Sequence, residues 1–112
     1  MQDSIIQLKA LGPMPDSLSS NPPEELICKY DDLLAEVKTP LTEEEIEVLI
    51  SIFPENTMYE VEWTLLHLVE TYFDPKLLSK YRNLISKCPS KEWRDTLNTR
   101  LDNWEKKHSK HT

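Results

Sequence analysis

The chain has 112 residues with one glycine, eight prolines and a formal net charge of −7. That length holds one domain, and Leu, Ile, Val and Phe together supply 29 residues, enough for a core. A single glycine excludes phosphate-cradling loops, dinucleotide fingerprints and a series of tight hairpin turns, and the negative balance argues against a general nucleic-acid binder.

In chain order, Asp3–Leu11 reads as a short helix with Ile5, Leu8 and Ile6 inward. Residues 12–23, GPMPDSLSSNPP, hold four prolines, three serines and the only glycine, which is a linker composition. Residues 1–21 are therefore expected to form an N-terminal segment and linker that docks loosely or not at all. A single helical domain is expected over 22–108, with a flexible tail over 109–112. The next helix takes Asn21 as N-cap, Pro22 and Pro23 in its first turn, and Glu24 and Glu25 at its positive start. Leu26, Tyr30, Leu33, Leu34 and Val37 form its apolar stripe, and it ends before Pro40.

Thr42-Glu43-Glu44-Glu45 is a capping box, with Ile46, Leu49, Ile50 and Phe53 behind it and Pro54 as the stop. VLISIF at 48–53 is the one candidate strand, and the capping box decides for helix. A second box, Thr57 to Glu60, opens a helix running to about Phe73. Its wide apolar face (Met58, Val61, Leu65, Leu68, Val69, Tyr72) marks it as the central one. Asp74-Pro75 caps the next helix, whose stripe is Leu77, Leu78, Tyr81, Leu84, Ile85 and Cys88. Ser90 caps the last, with Trp93, Leu97, Leu101 and Trp104 on one side. The predicted fold is all-α: a compact bundle or short solenoid-like stack of about five helices in antiparallel hairpins.

Charge divides sharply along the chain. Residues 1–74 carry 3 basic and 16 acidic side chains, and residues 75–112 carry 10 basic and 4 acidic. Two compatible readings follow: the basic part packs beside the acidic part, or the acidic part is a docking face for a cationic partner. Cys28 and Cys88 belong to no metal-ligand spacing and read as free thiols in a reducing compartment. The N-terminus lacks the basic start and long apolar run of a secretory signal, and the longest apolar stretch is too short for a membrane span, so a cytoplasmic protein without membrane contact is expected.

Little in the sequence supports chemistry. No nucleophile-elbow spacing is present. His67 and Glu70 stand three apart on one helix face, but helical di-metal sites use Glu-x-x-His twice, and here the order is reversed and occurs once. Neither enzyme activity nor a metal or cofactor is expected. The unusual residue is Trp63, which the helical wheel places about 160° from Leu65, beside Glu60, His67 and Glu70. Either a neighbouring segment covers it, or it is an exposed aromatic ringed by carboxylates, the composition of an interface hot spot.

The stretch Leu41–Phe73, and WTLLHLVET at 63–71 in particular, resembles segments of small acidic bacterial proteins encoded beside secreted toxins. The resemblance implies an immunity protein, a cytoplasmic inhibitor that sits on a cognate toxin. The expectation is then a non-enzymatic module that occludes a basic toxin domain through Glu43, Glu44, Glu47, Glu60, Glu62, Trp63, His67 and Glu70. The alternative is a helical adaptor that self-associates, as a homodimer for instance, through its Trp93/Leu97/Leu101/Trp104 stripe.

Overall fold

The computed structural model describes residues 1–18 and 21–108. They form six α-helices and one short 3-10 turn, with no strand among the described residues. The helices are α1 (Asp3–Leu11), α2 (Glu24–Glu36), α3 (Glu43–Ser51), α4 (Val61–Glu70), α5 (Leu78–Ser86) and α6 (Lys91–His108); the turn, Pro75–Leu77, leads into α5. The molecule measures 50 × 30 × 19 Å. The all-α prediction holds. The expected flexible tail at 109–112 lies outside the described residues.

Local chemistry sets several helix ends. The first capping box forms as expected: the Glu45 amide donates to Thr42 Oγ1 at 3.2 Å, and the Thr42 amide donates to Glu45 Oε1 at 3.0 Å. Asp74 accepts from the Lys76 amide at 2.9 Å, and Ser90 Oγ accepts from the Trp93 amide at 3.3 Å. At α2 the expected cap is displaced. The helix begins at Glu24 with extended Pro23 before it, because a residue preceding proline is pushed out of helical geometry and Asn21 and Pro22 both precede one.

The expectation of a loosely docked N-terminal segment is overturned. Ile5 and Leu8 are fully buried, Met14 is buried behind them, and α1 packs against both α2 and α3. Two inward residues on one short helix suffice because α2 and α3 cover them from either side. Backbone bonds then hold the linker: the Met14 amide donates to Ile52 O at 2.9 Å and the Ser17 amide to Thr57 O at 2.8 Å. The Tyr30 hydroxyl, which burial pushes above its ordinary pKa, donates to Gly12 O at 2.8 Å.

The core runs through all six helices, with Ile46, Leu49, Leu65, Leu66, Val69 and Ile85 essentially inaccessible. It also absorbs the C-terminal stripe. Trp93, Leu97 and Leu101 are buried, and Trp104 sets its ring against Phe73, centroids 4.8 Å apart and T-shaped. Three of the four residues proposed for self-association are spent inside the fold, and Trp104 is half-buried against Phe73.

Candidate functional site

Helix α4 presents Trp63 as the 3.6-residue period requires, opposite the buried Leu65. Trp63 is 41% exposed. It is not free-standing, because its ring meets Trp93 of α6 edge-on at 5.0 Å, and Trp93 in turn stacks on Phe53 at 5.5 Å. Trp93 is fixed by its indole nitrogen, which donates to Asn56 O at 2.7 Å. The exposed indole is therefore the outer member of a three-ring stack rooted in the core, an arrangement that holds its orientation without covering its outer face.

The loop before α4 departs from expectation. Thr57 does not cap the helix and Glu60 does not reach back to it. Tyr59 (φ 49) and Glu60 (φ 68) instead adopt left-handed geometry, and the helix starts at Val61. Each such non-glycine residue costs roughly 1–2 kcal/mol. Glu62 over-determines the turn. Its carboxylate accepts from the Thr57 hydroxyl at 2.6 Å and from the Met58 amide at 2.8 Å, and it is only 1% exposed. Glu62 is thus withdrawn from the surface predicted for it, because its hydrogen bonds hold the loop that precedes its own helix. The same turn displays Tyr59, which is 55% exposed. Tyr59 was missed because the Thr-x-x-Glu spacing signals a regular helix start.

The other candidates divide between two neighbourhoods. On α3, Glu43 pairs with Lys80 of α5 at 3.7 Å and Glu47 with Lys87 at 3.5 Å, while exposed Glu44 and Glu47 border a depression shared with Met1 and Lys9. On α4, Glu70 receives Arg100 of α6 through two bonds, Nε to Oε2 at 2.7 Å and Nη2 to Oε1 at 2.9 Å. This bidentate pair raises the guanidinium pKa. His67 and Glu60 are exposed. The acidic and basic parts of the chain therefore do pack beside each other. Such exposed pairs contribute about 0–1 kcal/mol each, so they orient the helices more than they stabilise them. Arg82, held by Asp102 and Glu105, ties α5 to α6 within the C-terminal part.

Next to the aromatic stack lies an open cleft of about 830 Å³. Residues 13–16 form one wall, residues 89–92 the other, and Phe53 lies at its base with Glu55 and Asn56. Its geometry is fixed by bonds on both sides of the 53–57 loop. Asp16 accepts from Asn56 Nδ2 at 3.1 Å and the Thr57 amide at 3.3 Å, and Ser90 Oγ donates to Glu55 O at 2.7 Å. Among the described residues, no group of three or more His, Cys, Asp or Glu side chains is placed to hold a metal ion, and no helix is long and apolar enough to cross a membrane.

These features define a small all-α domain whose distinctive equipment is a surface aromatic anchored on a buried ring. Residues 21–111 match the family model described as Immunity protein 30, and the chain belongs to that family. Membership implies a protein partner, a toxin. Comparison with curated proteins and with solved structures returns no match.

Proposed function

We propose that this protein neutralises a toxin by binding it in the cytoplasm, covering a basic functional surface without performing chemistry. The contact is centred on Trp63, with Tyr59, Glu60 and His67 around it. Glu43, Glu44, Glu47 and Glu70 supply the wider negative field, partly offset by their lysine and arginine partners. The single observation that carries this reading is the exposure of Trp63 on a ring stack that fixes its direction. A rigid aromatic of this kind loses little conformational entropy on binding, and its truncation in a desolvated interface typically costs about 2 kcal/mol or more. The carboxylates act mainly on encounter rate and partner choice, through a field screened over about 8–10 Å at ordinary ionic strength.

The test is co-expression with a cognate toxin domain. The native chain rescues growth, and Trp63→Ala binds the purified toxin domain roughly thirtyfold more weakly, the equivalent of about 2 kcal/mol. Raising salt slows association. Affinity indifferent both to salt and to Trp63→Ala refutes this surface.

A further inference from the structure

The geometry points to the cleft beside the ring stack as the seat of a lysine- or arginine-bearing loop of the partner protein, bound alongside Trp63. This deepens the immunity reading and rests on it for the identity of the partner as a toxin. Charge complementarity selects the occupant. The lining carries four carboxylates, Asp16, Glu55, Glu92 and Asp95, against the single ammonium of Lys91, which already pairs with Asp95 at 3.0 Å. Among the described residues, Glu55 and Glu92 have no ion-pair partner. They remain available to a cation from outside, whereas an anionic ligand would meet their repulsion.

Shape points the same way. A small-molecule site encloses most of its ligand, typically 70–90% or more. This cleft is open, and its lining combines Pro13, Pro15, Pro89 and Phe53 with the exposed carboxylates of Glu55 and Glu92. Such a trough suits the aliphatic stem of a lysine or arginine, which packs on apolar surface while its charged head reaches the rim. The walls are preorganised by the bonds from Asp16 to the 56–57 backbone and side chain and from Ser90 to Glu55 O, so little ordering cost falls on binding. The cleft and the exposed indole are joined through the interior: Phe53 of the lining touches buried Trp93, and Trp93 touches Trp63.

The experiment is an NMR titration of the full isotope-labelled chain with a capped hexaarginine peptide, using hexaglutamate as the control. The largest shifts are expected at residues 13–16, 55–56 and 89–95 and at the Trp63 indole, with none from hexaglutamate. The double variant Glu55→Gln/Glu92→Gln is expected to bind about fivefold more weakly, whereas Glu24→Gln/Glu25→Gln on α2 stays within about twofold. Thermal unfolding of both variants confirms that the fold is intact. Shifts centred on α2, or equal losses in the two variants, overturn the cleft. The same variants in the growth-rescue assay keep the two proposals separable. A native chain that binds the peptide in the cleft but rescues nothing sinks the immunity reading alone. Rescue and toxin affinity undiminished in Glu55→Gln/Glu92→Gln sink the cleft alone.

Discussion

Glu62 offers the sharpest test of how the Trp63 surface is built. Its carboxylate is buried and takes two hydrogen bonds, from the Thr57 hydroxyl and the Met58 amide. Hydrogen bonds to a charged group contribute about 1.5–3 kcal/mol each and neutral ones about 0.5–1.5. Glu62→Gln keeps the shape and can keep both contacts, with its amide donating to the threonine oxygen, so it exchanges charged bonds for neutral ones at a cost of about 2 kcal/mol. Glu62→Ala removes both and orphans the buried Met58 N–H, for about 3–5 kcal/mol. At about 4 °C per kcal/mol for a domain of this size, the glutamine variant should melt about 8 °C below the native chain and the alanine variant further still. Circular dichroism at the helical minimum, read during thermal and urea unfolding, measures both. Glu60→Gln, at an exposed neighbouring carboxylate, should stay within about 0.5 kcal/mol of the native chain. A Glu62→Ala melting point indistinguishable from the native one would show that Glu62 does not hold the turn.

Two further outcomes follow from the same turn and from the α1–α3 junction. Glu60→Gly removes a side chain from a left-handed position and should raise stability by about 1 kcal/mol, read as a higher urea midpoint with unchanged slope. Glu45 is buried, which by itself raises its pKa. Bonds from the Thr42 and Gln2 amides outweigh that and hold it below the ordinary carboxylate value. Its contribution to stability is therefore fully present above the unfolded pKa of about 4.3 and is lost as pH falls through the lower folded value. The melting-point gap between the native chain and Glu45→Gln should be full at pH 6 and close toward pH 3. A gap that persists undiminished to pH 3 would contradict the assignment.

What the sequence makes legible is whatever one helical window contains. The Thr42–Glu45 box, the Ser90 cap and the outward bearing of Trp63 each depend on residues within a turn or two of one another, and each is found in place, while Asp74 caps the 3-10 turn that leads into α5. The second box shows the boundary of such reasoning. Thr57 and Glu60 carry the right spacing, yet the Thr57 amide donates to Asp16, and Glu62, two residues beyond Glu60, accepts from the Thr57 hydroxyl and the Met58 amide, with Tyr59 and Glu60 left-handed between them. The charge division announces that acidic and basic parts can pair, but which carboxylates are consumed depends on α3 lying beside α5 and on the Glu70–Arg100 pair linking α4 to α6. The docking of α1 and the cleft are further out of reach. Asp16 meets Thr57 across 41 positions and Ser90 meets Glu55 across 35, so the cleft walls come from three stretches that share no local pattern. A contact surface borne on one helix face is written in its periodicity. A trough framed by a proline-rich segment, a loop and the start of α6 exists only once packing has brought them together, which is why Glu55 and Glu92 carry no distinguishing mark in the chain.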